Sequence, residues 1–171
     1  VGYSAYSGGN GSHNTAVGAY AMDAAVTGTY NTAIGRDALG ALTSGDYCTG
    51  LGAYALWSNT GGTNNTAVGG NAMFDNTTGN YNVAMGHEAL ANNTTASYNT
   101  ALGRHAMYDN TTGNDNVAVG YNALSNNTTA TDCVAVGYKA LEASNANYCT
   151  AVGDQALLSN TTGDVNTAVG Q

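Results

Sequence analysis

A glycine that follows an apolar residue recurs along the whole chain with a nearly constant 17-residue spacing. Only the first step and the step from Gly137 to Gly153 are shorter, each by a single residue. Ten turns of one structural unit therefore account for the 171 residues, and we expect a single repeat array over residues 1–171. Because the chain begins and ends in mid-repeat, we expect it to be a section of a longer fibre. The recurring glycines are Gly2, Gly18, Gly35, Gly52, Gly69, Gly86, Gly103, Gly120, Gly137, Gly153 and Gly170.

Most positions of the repeat accept a narrow set of side chains. The residue before the glycine is apolar, an alanine lies two residues before it with Gly50 as the exception, and another alanine lies three residues after it. Only Asn or Cys lies four residues before the glycine, and we expect this column to form a hydrogen-bonded ladder in which Cys acts as a small buried thiol. The ladder residues are Asn14, Asn31, Cys48, Asn65, Asn82, Asn99, Asn116, Cys133, Cys149 and Asn166.

The 17-residue period predicts an all-β fold, a parallel β-solenoid (β-roll) of ten coils. Helix–helix repeats need longer units of about 33 residues, whereas one solenoid coil fits two strands of about four or five residues and two turns. Tyr98–Leu102 has the alternation of a strand, and the recurring N-T-T-G is turn chemistry that tolerates left-handed backbone angles. Like residues then stack into columns about 4.8 Å apart, with the apolar columns forming a continuous core. The two alanine columns predict either close packing of neighbouring chains or a tight internal corner.

Composition excludes several classes of partner. Charged residues make up 8% of the chain, with 3 Lys and Arg against 11 Asp and Glu, and the net charge is −8. Such an acidic chain is a poor ligand for nucleic acid or an anionic membrane surface. No apolar stretch approaches the roughly 20 residues of a membrane span, so we expect no membrane insertion.

The strand motif resembles those of two families of fibrous proteins. Asn116–Gly120 and Asn166–Gly170 resemble the head repeats of YadA-like trimeric autotransporter adhesins, and Asn116–Gly137 is similar to the repeats of phage tail-fibre proteins. The resemblance implies an extracellular homotrimer on a virion tail or a bacterial surface. A protein of this kind would serve host attachment. It would be a filament whose stiff structural shaft presents a receptor-binding tip.

Catalytic and metal sites find little support in the sequence. His87 and Glu88 lie one coil from Arg104 and His105, so stacking brings these four side chains within reach of one another. A solvated charge cluster is favoured over a metal or acid–base site, which would need more ligands and a sheltered pocket. We therefore expect no enzyme activity, no catalytic residue, no metal and no cofactor.

Two aromatic columns are candidates for stacking on a cell-surface glycan. Trp57, Phe74 and Tyr108 share one column, and Tyr81 and Tyr98 share the other with three further tyrosines. The alternative is that the rings only stabilise one another across coils.

Threonine columns suggest an alternative function, an ice-binding β-solenoid. The columns are Thr60, Thr77, Thr94, Thr111 and Thr128, and Thr15, Thr32, Thr49 and Thr66. The glycosylation sequon N-x-[S/T] occurs at Asn64, Asn76, Asn93, Asn110, Asn127 and Asn160, although turn geometry already explains the Asn-Thr-Thr segments. Cys133 and Cys149 are near enough in the stack for a disulfide, and free buried thiols are favoured.

Overall fold

The computed structural model describes all residues from Val1 to Gln171 and confirms an all-β parallel solenoid without helices. Ten three-residue strands form one parallel sheet in which each strand pairs in register with its counterpart in the next coil. A two-stranded pair, β1 (Gly8–Gly9) with β3 (Ala25–Val26), lies apart from it. The main sheet consists of β2 (Thr15–Val17), β4 (Thr32–Ile34), β5 (Thr49–Leu51), β6 (Thr66–Val68), β7 (Val83–Met85), β8 (Thr100–Leu102), β9 (Val117–Val119), β10 (Val134–Val136), β11 (Thr150–Val152) and β12 (Thr167–Val169).

Along most of the solenoid each coil contains one short strand, so the expectation of two longer strands per coil is wrong. The rest of the coil consists of tight turns, but these turns also hydrogen bond to the next coil. Leu39 N–H donates to the Ala55 carbonyl at 3.0 Å, and Ala41 N–H donates to the Trp57 carbonyl at 2.9 Å. Coil-to-coil bonding therefore continues outside the sheet, and the turns belong to the rigid part of the molecule.

The turns depend on left-handed backbone conformations at residues other than glycine. Such residues recur at three positions of each repeat. Glu88 (φ 56°) and Leu90 (φ 53°) lie two and four positions after Gly86, and Tyr98 (φ 62°) lies five positions before Gly103. The N-T-T-G segment was expected to hold such angles, and this expectation is wrong, because Asn76 and Gly79 lack them. An added Cβ at Gly79 would approach the Ala96 carbonyl oxygen closely, and the equivalent position accepts only glycine or alanine, as at Ala96 and Ala130.

The core is thin and is built from the two alanine columns and one column of larger side chains. Ala101 and Ala106 are completely buried, as is Met107. The alanine columns therefore form the tight internal corner, and the alternative that they contact neighbouring chains is wrong. The apolar column before the glycine was expected in the core, but it points outward: Ile34 is 44% exposed and Met85 is 46% exposed.

The chain contains no helix long and apolar enough to cross a bilayer.

Candidate functional site

The column of Asn and Cys residues forms a ladder, as predicted, but its bonds run from side chain to backbone. Asn99 Nδ2 donates to the Gly113 carbonyl at 2.9 Å, and Asn99 Oδ1 accepts from the Asn116 N–H at 3.0 Å. Asn82 repeats both bonds one coil earlier, to Ala96 and Asn99. Each buried amide thus binds the next coil at two points, which fixes the spacing and register of the coils.

The three cysteines are free and buried, and their thiols take over the donor role of Asn. Cys133 Sγ donates to the Ala146 carbonyl at 3.1 Å, and Cys48 Sγ donates to the Gly62 carbonyl at 3.2 Å. Burial raises the pKa of the Cys48 thiol to about 11 and outweighs the hydrogen bonds that lower it. The thiol therefore stays protonated at neutral pH and can serve as a donor.

A second asparagine ladder was not predicted from the sequence, where Asn76, Asn93, Asn110 and Asn127 were considered only as possible glycosylation sites. Asn76 Nδ2 donates to Asn59 Oδ1 at 2.8 Å, and Asn93 Nδ2 donates to Asn76 Oδ1 at 2.6 Å. Asn110 and Asn127 continue this amide-to-amide chain. All of these side chains are completely buried, so they are inaccessible to glycosylation. Their strict 17-residue spacing was the signal that could have identified the ladder.

One face of the solenoid exposes three parallel columns of side chains, which we call the outer face. In each coil it consists of the residues five, three and one positions before the glycine, as at Tyr98, Thr100 and Leu102. These side chains are exposed or half-buried, whereas the two residues between them are buried in every coil but the first and the last of the sheet. Tyr30 and Tyr47 stack at a ring-centroid distance of 5.0 Å, and Tyr81 and Tyr98 stack at 5.1 Å. The outer face thus combines an aliphatic column and a column of threonine and valine with a mixed column, in which five tyrosines lie among mainly polar residues that include Asp115 and Asp132.

The second aromatic column is interrupted, and the interruption forms a cleft. Trp57 and Phe74 stack at 5.1 Å, Ala91 occupies the next coil, and Tyr108 follows one coil later. The cleft has a volume of about 120 Å³ and is lined by Phe74, Ala91, Tyr108, Asn71, Glu88 and Asn92. Of the five residues proposed to stack on glycans, Phe74 and Tyr108 line this cleft and Trp57 supports it. Tyr81 and Tyr98 belong to the outer face.

Three of the four charged or titratable side chains singled out in the sequence converge at one edge of this cleft. His105 Nε2 lies 2.6 Å from Glu88 Oε2, and His87 Nδ1 lies 3.4 Å from the same oxygen. Arg104 is separate, with its guanidinium 5.9 Å from the centre of the Tyr121 ring. Partial burial acts to raise the pKa of the Glu88 carboxyl. The His105 hydrogen bond and the two imidazole charges outweigh it and hold that pKa below its ordinary value.

The threonine columns proposed for ice binding have different surroundings. Thr77 Oγ1 donates to the Thr94 carbonyl at 2.8 Å, and Thr94 and Thr111 donate in the same way to the following coil. These hydroxyls are occupied by bonds within the chain. The column that includes Thr32 and Thr49 lies on the outer face, next to the aliphatic column.

No protein-family model matches the chain, and neither does any curated protein or solved structure.

Proposed function

We propose that the chain is the shaft of a fibrous attachment protein, a stiff rod that holds a receptor-binding tip away from a virion tail or a bacterial surface. The observation that carries this proposal is the continuous register of the ten-stranded sheet, in which every coil bonds to the next through strand, turn and side chain. Nine steps of about 4.8 Å give the sheet a length of about 43 Å. Repetition of one rigid unit is a direct way to build length and stiffness.

The outer face is the surface through which we propose that three copies of the chain associate in parallel. It spans about 43 Å along the stack and about 13 Å across four residue steps, which gives roughly 560 Å². Aliphatic and tyrosine side chains cover much of this area, and the largest apolar patch on a typical monomer, about 300–600 Å², is often functional. A standard interface buries about 800 Å² on each partner, so this face would supply most of a small interface. Closed rotational symmetry around a common axis would cover the same face on every copy. The resemblance to trimeric adhesins favours three copies.

A lysine on the outer face should separate the copies. We expect sedimentation velocity to report a trimer for the wild-type chain and a folded monomer for Met85→Lys. Met85 is 46% exposed in the single chain, so the charge is tolerated there but would be buried and unpaired in an interface. Thr112→Lys is the matched control, because Thr112 is exposed away from the outer face. A wild-type chain that stays monomeric at high concentration, or Met85→Lys that stays trimeric, would contradict the proposed interface.

The cleft supports a second function for the shaft, weak binding of cell-surface glycans. Phe74 and Tyr108 lie two coil steps apart, about 10 Å, which leaves room for a sugar ring with a contact distance of about 3.5–4 Å to each side. Asn71, Glu88 and Asn92 at the rim supply acceptors and donors for sugar hydroxyls. A weak site on each chain of a multivalent fibre would gain avidity.

Tyr108→Ala should abolish glycan binding measured on a glycan array and by saturation-transfer NMR with the sugars that the array selects. Ala91→Phe should do the same by filling the cleft while keeping both aromatic walls. Tyr138→Ala is the control, since it removes an exposed tyrosine that lies outside both the cleft and the outer face. If all three variants bind the selected sugars as the wild-type chain does, the cleft is not the glycan site.

A further inference from the structure

We propose that His87, Glu88 and His105 form a binding site for a divalent transition-metal ion such as Zn²⁺. One ligand atom from each side chain lies within 4.8 Å of the other two. The three residues come from two consecutive coils: His105 lies one full repeat after Glu88, in the same column, and His87 is the neighbour of Glu88. Solenoid stacking thus assembles a group of ligands that is dispersed in the sequence.

The distances between the ligand atoms run from 2.6 Å to at most 4.8 Å, so a single ion would be bound after rotation of the histidine side chains. Zinc bonds to imidazole nitrogen and carboxylate oxygen are about 2.0–2.2 Å long, which places tetrahedral ligands about 3.4 Å apart. His87 Nδ1 and Glu88 Oε2 are already 3.4 Å apart, while His105 Nε2 and Glu88 Oε2 are hydrogen bonded at 2.6 Å. Entry of the ion would replace that hydrogen bond and widen this pair by about 0.8 Å, a change within the range of a side-chain rotation.

The surrounding structure holds the ligands in place. Glu88 N–H donates to the Gly70 carbonyl at 3.0 Å, and His105 N–H donates to the His87 carbonyl at 3.2 Å, so the coil spacing fixes both backbones. The His105 ring also packs 5.1 Å from the Tyr108 ring. The side chains of Glu88 and His105 are only 26% and 23% exposed, and that of His87 is 53% exposed. One side of the cluster therefore remains open to solvent, where water can complete the coordination.

The chemistry of the ligands selects the class of ion. Two imidazoles and one carboxylate suit Zn²⁺, Co²⁺, Ni²⁺ or Cu²⁺, whereas Mg²⁺ and Ca²⁺ prefer sites made of oxygen atoms. The nearest cation, Arg104, is directed towards Tyr121. The sequence alone favoured a solvated charge cluster, because it could not show that the three ligand atoms converge on one point.

The test is titration of the full chain with Zn²⁺ by calorimetry and with Co²⁺ by visible absorption. We expect one ion per chain, and a cobalt ligand-field spectrum with nitrogen and oxygen ligands. His105→Gln and His87→Gln should each weaken binding by about tenfold or more, because each removes one of three protein ligands.

His13→Gln is the matched control, because His13 stacks on Tyr30 and lies outside the cluster. It should bind Zn²⁺ as the wild-type chain does. Circular dichroism serves to check that each variant is folded, and His87→Gln should disturb packing least, because His87 is the most exposed ligand at 53%. Absence of a saturable Zn²⁺ site, or equal affinity in the wild-type chain and His105→Gln, would overturn the proposal.

Discussion

Replacement of Gly103 by alanine should disrupt the solenoid at its centre and lower the free energy of unfolding by about 3–6 kcal/mol. Gly103 ends strand β8 with φ at +132°, a backbone conformation that residues with a side chain rarely adopt. An added Cβ would lie 2.6 Å from the carbonyl oxygen of Gly120 and 2.8 Å from its carbonyl carbon. Both atoms belong to the backbone of the next coil, so the collision cannot be relieved by a side-chain rotation.

The expected loss is large compared with the total stability of a typical domain, about 5–15 kcal/mol. Urea denaturation followed by circular dichroism measures it directly. Gly70→Ala is the matched control, since a Cβ there would meet only the side chain of His87, at 3.5 Å, and the backbone is not left-handed. It should change stability by less than about 0.5 kcal/mol. A Gly103→Ala variant as stable as Gly70→Ala would show that the coils are not packed as closely as described.

Asn99→Ala should lower the free energy of unfolding by about 2–4 kcal/mol, and Asn99→Cys should recover more than half of that loss. Alanine leaves the buried N–H of Asn116 without its acceptor and removes the bond from Asn99 Nδ2 to Gly113. The Gly113 carbonyl keeps a second donor, Asn110 Nδ2, so the orphaned N–H accounts for most of the expected cost. Cysteine can replace both groups of Asn99. Cys133 Sγ donates to the Ala146 carbonyl, and the N–H of the next coil hydrogen bonds to the cysteine sulfur, as Asn65 does at Cys48 and Cys149 does at Cys133.

Hydrogen exchange at the Asn116 amide distinguishes this explanation from a simple packing defect. The amide should lose protection in Asn99→Ala to a greater extent than its neighbours in strand β9, and it should regain part of that protection in Asn99→Cys. Equal destabilisation by the two substitutions would mean that the thiol replaces neither hydrogen bond of Asn99. The chain itself offers the precedent, with cysteine at three of the ten positions in this column.

Much of the inner structure could be predicted, because a repeated sequence places like residues over one another. The Asn and Cys column was expected to bond along the stack, and the buried amides of Asn82 and Asn99 do so. The alternation that predicts the strand also assigns Asn99 and Ala101 to one side and Leu102 to the other. The same alternation in every coil places the apolar residue before the glycine on the outer face, where the structure has it.

The candidate sites were less predictable, because each depends on which neighbouring side chains share a surface. The aromatic column of Trp57 and Phe74 was visible in the sequence, but a cleft forms only because Ala91 leaves space between Phe74 and Tyr108. The sequence placed His87, Glu88, Arg104 and His105 within reach of one another. It could not separate Arg104 from the other three, since that depends on side-chain rotamers and on the position of Tyr121.

The sequence by itself determined the period, the number of coils and the identity of the residues in each column. These properties follow from repetition and from the small set of structures that a 17-residue unit can form. Only the tertiary structure decided the shape of each coil. Leu90 and Tyr98 adopt left-handed angles against their own preference, and the second predicted strand is replaced by turns along most of the solenoid. The physical reason is that the backbone bonds of one coil are made to the next coil, one full repeat away, and these non-local bonds override the local preferences of single residues.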